Sequence, residues 1–412
     1  GRIDTLPRLS SYMPGLAAPL SPFLTQAGRF KKEIDLPILH ATRINDLATA
    51  RYAIKEGLVD MVGMTRGHIS DPYIVNKIIN NEEHRIRTCV GATYCSNYGY
   101  CVQNPATARE KSLSHKIKKN KKNKKIIIVG GGPAGLEAAR VSAERGHDVH
   151  LYEATSKLGG QLNYASKINW RRELGGIIDW LISECEVLGV HFHMNYIIEN
   201  IDLIDKNVDV VILATGGMPN TNLIDGDAEV LSTWDALSGK KLEGLVFIHD
   251  ETGKNVALAA ADYLSDNGSE VLLNTPDATI GMEAMRMEIS PFMKRFYNNG
   301  VTLQVDHEVI KVCKDKNRIK VLLRNTHTGK ITEKIVDHFI LEAGTLPNDS
   351  LFYELNSVAL NKGIIDLDSM VKGKAQPIFE GEGFHLYRVG DAVSSRDVHC
   401  AILDSLRICK EL

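Results

Sequence analysis

Six consecutive residues constrain this chain more than any others: Gly130-Gly131-Gly132-Pro133-Ala134-Gly135. They follow an apolar run, Ile126–Val129, that reads as a buried strand, and they open a helical pattern over Pro133–Arg145. In that context the Gly-x-Gly-x-x-Gly spacing assigns a task to each glycine. Gly130 makes the tight turn. Gly132 removes a side chain so that a pyrophosphate can approach the backbone, and Gly135 lets helix and strand pack closely. The first helical turn, beginning at Pro133 and Ala134, offers free N–H groups and a partial positive charge to the phosphates. Glu153 ends the next strand, Asp148–Glu153, 18 residues after Gly135, where a carboxylate can hold ribose hydroxyls. The unit is a dinucleotide-binding α/β motif.

Three further segments narrow the choice of nucleotide. Gly159-Gly160-Gln161 follows the Glu153 strand, Thr215-Gly216 follows the buried run Val208–Thr215, and Gly390-Asp391 precedes a C-terminal helix starting near Val398. In this order they resemble the flavoproteins with two dinucleotide-binding domains, which bind FAD at the first site. The resemblance makes Gly130, Gly132, Pro133, Ala134, Gly135, Glu153, Gly160, Gln161, Thr215, Gly216, Gly390 and Asp391 the FAD candidates. A second strand–turn–helix–strand unit spans Leu245–Asn274, but its turn reads His249-Asp250-Glu251-Thr252-Gly253. One glycine remains and two acids stand where phosphates would sit. Like charge disfavours a pyrophosphate, so this NAD(P)-like unit reads as a retained scaffold.

Composition is that of a globular protein, 43% hydrophobic and 24% charged. The net charge of −2 gives no case for nucleic acid. It conceals a local bias, because residues 111–125 contain eight Lys and no acid. That run has no interleaved aromatics and reads as a solvated tether. No apolar run approaches the ~18–20 residues of a membrane span. Seven Cys, three of them within Cys89–Cys101, do not make a secreted disulfide framework; they suggest a reduced, cytoplasmic setting with one thiolate-rich site.

Two strand–helix units precede the cysteines. Residues 36–42 and Met61–Thr65 read as buried strands. A helix is expected near Phe23–Ile34, another with Asp46 as N-cap and Gly57 as its stop, and a third from Asp71-Pro72. Residues 1–35 are otherwise expected to be irregular. Residues 170–188 read as one long helix, and residues 300–345 alternate like antiparallel strands. Cys89, Cys95 and Cys101 suit an iron–sulfur cluster, because iron prefers soft sulfur and a loop lets several thiolates converge. Three unconnected thiols are the alternative.

The order of parts resembles the trimethylamine dehydrogenase and 2,4-dienoyl-CoA reductase branch of the NADH:flavin oxidoreductases, relatives of old yellow enzyme. Within it the chain is similar to bacterial demethylases of dimethylglycine and N-methylproline. The resemblance rests on Ala27-Gly28-Arg29-Phe30, Ala41–Asp46, Gly63-Met64-Thr65-Arg66, Cys89-Val90-Gly91-Ala92, Arg140–Arg145, Gly383–Arg388 and Gly390-Asp391-Ala392. It implies an α/β chain: an incomplete C-terminal part of a (β/α)8 barrel, then a Rossmann-like module of two dinucleotide-binding domains. The implied domains are barrel strands seven and eight in 1–83, the cysteine loop in 84–110, a basic linker in 111–124, FAD-binding segments in 125–240 and 346–412, and the NAD(P)-like domain in 241–345. A barrel needs about 250 residues, whereas 88 precede Cys89. The expectation is a partial FMN site and an uncovered sheet edge with exposed apolar surface.

By the same resemblance, Ala41, Thr42, Arg43, Thr65 and Arg66 would hold the FMN phosphate, and Cys89, Cys95 and Cys101 a four-iron cluster. Ala92 stands where the family has another ligand, which puts a complete cluster in question. The implied reaction is oxidative N-demethylation of a small amine, with electrons leaving FMN through the cluster to an external acceptor such as an electron-transfer flavoprotein. A homo-oligomer is compatible with the family. No catalytic residue is assigned, and His40 and His68 are read as structural. Two alternatives stand: an NADPH-dependent 2,4-dienoyl-CoA reductase-type enzyme, and a non-catalytic FAD-binding electron-transfer subunit.

Overall fold

Residues 13–200 and 207–412 are described in the computed structural model. The irregular stretch expected over residues 1–35 therefore falls partly outside the described residues. The chain divides into two compact units.

One unit comprises residues 18–163, 173–217 and 347–412. Its strands are β1 (Leu39–His40), β2 (Met61–Val62), β3 (Lys125–Val129), β4 (Asp148–Glu153), β5 (His191–Met194), β6 (Val210–Leu213) and β7 (His385–Arg388). The last five form a parallel sheet in the order β7-β6-β3-β4-β5. Central β3 is apolar at consecutive positions because both of its faces are covered; Ile126, Ile127 and Ile128 are at most 1% exposed. One face receives helix Pro133–Glu144, which packs in turn on helices Gly176–Val187 and Val398–Cys409. The other face is covered by Leu351, Phe352, Leu355 and Phe384, packed on Ile127, Val129, Val211 and Leu213.

β1 and β2 pair in parallel with each other, Leu39 opposite Met61 and His40 opposite Val62. Each is followed by a helix, Leu47–Lys55 and Thr65–Ser70. Asp46 caps the first of these, accepting the Thr49 N–H at 2.8 Å. The strands are shorter than expected and not buried, with Leu39 61% and Met61 49% exposed. Among the described residues this sheet has only two strands and two residue pairs; Leu39 and Met61 face outward, while Val62 packs toward Leu24, Ala53 and Val59. Asp71 also departs from expectation. It closes helix Thr65–Ser70, and its carboxylate takes the N–H groups of Tyr73 and Arg87 and the Lys77 ammonium, so the next helix starts at Ile74. Over Asn169–Gly175 the helix expected from residue 170 is a 3-10 helix, and it becomes α-helical at Gly176.

The basic run is not a free tether. Leu113 is 1% exposed. Lys410 donates to the Ser114 carbonyl, Asn120 to the Leu412 carbonyl, and Arg145 to the Lys118, Lys410 and Leu412 carbonyls. The lysine ammonium groups can stay in water while the backbone carbonyls are used, a division that charge patterning does not reveal.

The second unit's described residues are 13–17, 164–172 and 218–346. Its parallel sheet runs in the order Thr302–Gln304, Glu270–Asn274, Leu245–Asp250, His338–Glu342, Leu231–Ser232. Only His307–Asp315, Arg318–Asn325 and Ile331–Val336 form the antiparallel set expected over 300–345. His338–Glu342 instead joins the parallel core, because Phe339, Ile340 and Leu341 are buried consecutively rather than alternately.

Two outcomes test how the basic run is held. Leu113→Ala should cost about 2–5 kcal/mol in urea unfolding, the usual price of emptying a buried leucine site; a solvated tether would show almost none. His147 accepts the Lys124 N–H, and burial holds its pKa down to about 4. An imidazole kept neutral in the fold gains a proton first in the unfolded chain. Stability should therefore fall as the pH drops from about 6.5 toward 4, by about 1–2 kcal/mol between pH 7 and 5. In His147→Gln this dependence should flatten.

Candidate functional site

The glycine turn ends β3 in a geometry that only these residues allow. Gly130 has φ +106°, and a Cβ there would lie 2.3 Å from the Ala214 carbonyl oxygen. A Cβ on Gly135 would lie 1.8 Å from the Gly130 carbonyl oxygen. Gly132 is the opposite case: its Cβ position has no atom within 4 Å. Two glycines thus serve contact between β3, β6 and helix Pro133–Glu144, and one leaves an open cradle at the helix N-terminus. Pro133 and Ala134 begin that helix. The Glu153 carboxylate reaches the turn, accepting the Gly131 N–H at 2.8 Å.

The other candidates gather around the same cradle. A Cβ on Gly160 would lie 3.2 Å from the Gly132 Cα, and Gly159 donates to the Gly131 carbonyl at 2.8 Å. Gln161 donates to the Asp391 carboxylate at 3.0 Å, bridging 230 residues of sequence. Gly390, at φ +65°, seats its chain segment against Ala134. Thr215 donates through Oγ1 to the Asn348 carbonyl at 2.5 Å, and Gly216 accepts the Asn348 N–H. The open space beside Gly132, a helix N-terminus and nearby carboxylates suit a dinucleotide whose phosphates lie on the glycines.

The three cysteines lie in the same compact unit. Cys89, Cys95 and Cys101 line one cavity with Arg66, Ala92 and Gln103. Their sulfurs are not all within the 4.8 Å of one another that would suit a single ion. Cys89 accepts the Gly91 N–H, and Cys101 those of Gln103 and Asn104. Such donors favour thiolates bound to a soft metal. As free thiols, burial pushes Cys89 up to about 11 and raises Cys101 as well. Ala92 presents a buried methyl, so this loop supplies three sulfur donors. The donor set fits a cluster with three Cys ligands.

The loop is also held from below. Tyr94 donates to Asp397 at 2.5 Å, and the His399 ring nitrogen meets the Cys101 carbonyl at 2.8 Å. Asp397 and His399 lie at the start of the helix that follows Asp391, so the cysteine loop rests on an element leading out of the cradle. Nothing local in the sequence marks Tyr94, Asp397 or His399; the only hint was a cysteine loop and a Gly-Asp turn within one chain.

Of the FMN candidates, Ala41 and Thr42 follow β1 and Thr65 follows β2, so the parallel pairing brings them to one end of the two-stranded sheet. Arg43 is buried, with φ +57°, and its guanidinium pairs with Glu173 at 2.9 Å. Arg66 lines the cysteine cavity. His40 sits on β1, where burial lowers its pKa, and His68 is exposed.

In the other unit, the turn after Leu245–Asp250 is filled by its own side chain. Asp250 Oδ1 accepts the Thr252 N–H at 2.9 Å, the Gly253 N–H at 3.0 Å and the Thr252 hydroxyl at 2.9 Å. Glu251 meets His249 Nε2 at 2.7 Å. The backbone donors that would receive a phosphate already hold a carboxylate.

Residues 96–202 and 124–381 match the pyridine nucleotide-disulphide oxidoreductase family. The second match alone spans more than half of the chain, and the chain belongs to that family. It is 42% identical to the multifunctional alkene reductase/demethylase OYE of Caballeronia cordobensis and 42% identical to the probable N-methylproline demethylase of Rhizobium meliloti (strain 1021). Each similarity covers 100% of this chain and 62% of the relative, so the chain spans less than two thirds of either protein. The fold is shared with histamine dehydrogenase from Rhizobium sp. 4-9, with a TM-score of 0.83 at 20% identity over 96% of this chain and 59% of that one. The resemblance to the demethylase-bearing flavoprotein branch and the mixed α/β fold are both upheld. No helix among the described residues is long and apolar enough to cross a membrane.

Gly135→Ala should lower stability by about 3 kcal/mol, as for overpacking against backbone. Gly132→Ala should stay within about 1 kcal/mol, since its Cβ enters open space. Urea unfolding of the two variants checks the contrast.

Proposed function

We propose that this chain carries the FAD-binding and electron-relay part of a flavin-dependent oxidoreductase that demethylates a small N-methylated amine or amino acid. The observation that carries the electron-relay reading is the filled turn at Asp250, which opposes NAD(P)H and favours an external acceptor such as an electron-transfer flavoprotein. The choice of substrate rests on similarity to relatives named as demethylases.

The residues divide the work as follows. Gly130, Gly132 and Gly135, with the helix starting at Pro133 and Ala134, seat the FAD pyrophosphate. Glu153 takes ribose hydroxyls by exchanging its bond to the Gly131 N–H. Asp391, aligned by Gln161, takes a ribityl hydroxyl. Cys89, Cys95 and Cys101 hold the iron–sulfur centre, and Ala41, Thr42 and Thr65 approach the FMN phosphate. The bound cofactors supply the redox chemistry, removing two electrons from the methyl C–N unit. Water then hydrolyses the iminium to an aldehyde and the demethylated amine.

A second reading is favoured by the alkene reductase activity in the name of one relative. It makes the protein an NADPH-consuming enoate reductase of the 2,4-dienoyl-CoA reductase type. The electron-transfer-subunit reading differs in placing substrate chemistry on another chain.

Flavin extracted from the purified chain should include FAD, and Gly132→Val should reduce its occupancy at least ten-fold with the fold intact. Anaerobic NADPH should leave the bound flavin oxidised. Rapid bleaching would overturn the acceptor assignment in favour of the enoate reductase. Formaldehyde release from N-methylproline or dimethylglycine tests the substrate class; release only after adding a second barrel-bearing chain would select the subunit reading.

A further inference from the structure

The sheet that carries the glycine cradle has an uncovered corner on its opposite margin. Among the described residues β5 is an edge strand, paired with β4 alone. Side chains alternate along strands, so Asp148, His150 and Tyr152 share one face of β4. His191 stands in register with His150, and His193 with Tyr152. This is the face that Leu351, Phe352 and Phe384 cover farther in, with Tyr152 at the margin of their cluster. Beyond Tyr152 the cover stops, and three imidazoles and a carboxylate lie together.

Their arrangement converges on a point. His150 Nε2 lies 3.3 Å and His191 Nε2 3.8 Å from Asp148 Oδ1. The three ligand atoms all lie within 4.8 Å of one another. Donors around a tetrahedral ion at ~2.0–2.1 Å stand about 3.4 Å apart, so the Asp148–His150 spacing fits and the half-exposed His191 closes by a small rotation. The remaining nitrogen of His150, Nδ1, meets His193 Nε2 at 3.0 Å. That contact directs His150 Nε2 toward Asp148, as the outer partner of a metal-bound histidine does. His193 is itself fixed by stacking on Tyr152, with ring centroids 4.3 Å apart.

A patch that merely blunts an exposed edge needs charge but no convergence. Here the edge carries side chains that share one focus and an outer residue that fixes a ring. We infer that Asp148, His150 and His191 form a binding site for a borderline divalent transition-metal ion of the Zn²⁺ or Cu²⁺ class, with His193 as a positioning residue. Two imidazoles and one carboxylate select such ions over Mg²⁺ and Ca²⁺. Three protein ligands leave a coordination position open. Asp148 lies at the far end of β4 from Glu153, roughly 16 Å along the strand, so this ion and the cradle are separate.

Co²⁺ alone, titrated into the flavin-loaded full chain and followed by difference spectra, tests the site, because thiolate ligation at the cysteine loop adds an intense charge-transfer band that nitrogen and oxygen ligands lack. One equivalent should bind with nitrogen/oxygen character. His150→Ala with His191→Ala should lower its affinity at least 100-fold, Asp148→Asn at least 10-fold, and His193→Phe about 10-fold with stoichiometry retained. Flavin content should not change. A chain that shows only thiolate-ligated Co²⁺, or a nitrogen/oxygen signal that survives the double substitution, overturns the inference. The single exposed-residue variant His191→Ala gives the same decision if the double variant fails to fold.

Discussion

Everything in the candidate FAD site depends on how closely three pieces of backbone meet at the end of β3. The Gly130 carbonyl lies where a Gly135 side chain would begin, and the Ala214 carbonyl lies where a Gly130 side chain would begin. These are van der Waals contacts between main chains, with no side chain free to yield. They hold the first turn of helix Pro133–Glu144 against the strand tips, and so set where its unpaired N–H groups point. Gly159 bonded to Gly131, and Gly390 seated on Ala134, extend the same close packing to two other loops. The shape of the cradle is therefore set by main-chain packing rather than by side chains.

The other unit shows the same local plan put to a different end. A strand, a turn and a helix, Asn255–Asp266, again present backbone donors at the C-terminal end of a central strand. There Asp250 folds back onto two N–H groups and a hydroxyl, satisfying donors that an incoming phosphate would need. A phosphate would have to displace this carboxylate and tolerate its charge nearby. Burial raises the Asp250 pKa, yet the three donated hydrogen bonds favour its ionised form. A group can thus occupy an anion site from within, and the fold survives because the donors remain paired.

The glycine turn, its strand and its helix were legible because their signals are local. A run of four apolar residues, three spaced glycines and a proline lie within ten positions. The pairing of Gln161 with Asp391, or of Arg43 with Glu173, was not legible, since each joins residues more than a hundred positions apart. Arg43 shows the limit well: the sequence places a basic residue after a strand, but only the fold reveals the Glu173 carboxylate that meets its guanidinium. The strands at Leu39–His40 and Met61–Val62 are shorter than the apolar runs around them, because apolar composition alone does not specify burial. Their ladder is two pairs long, and Leu39 and Met61 are exposed. The histidines of β4 and β5 were passed over because an alternating polar strand at a sheet edge looks like ordinary solvent-facing structure.

The cysteine loop raises a different question, namely how a short irregular segment keeps its sulfurs in place. A loop of this kind has few ladder bonds, so its order has to come from side chains reaching across. Arg85 forks onto Glu184 at 3.0 and 2.9 Å, and Trp180 donates to the Arg85 carbonyl. Arg87 lies over the Trp180 ring at 3.9 Å and donates to the Gln103 carbonyl at 2.9 Å. The N–H of that same peptide group, from Asn104, goes to Cys101, which also accepts the Gln103 N–H. One aromatic ring on helix Gly176–Val187 therefore fixes a guanidinium, which fixes a peptide group, which aims a hydrogen bond at a sulfur. Gln103 and Asn104 are anchored further through Ser70, Thr88 and the Ile69 carbonyl. The same helix packs on Pro133–Glu144, the helix whose N-terminus forms the cradle. Sulfur donors and glycine turn are thus referenced to one pair of packed helices, and that shared frame, rather than the loop's own sequence, fixes where the three sulfurs sit.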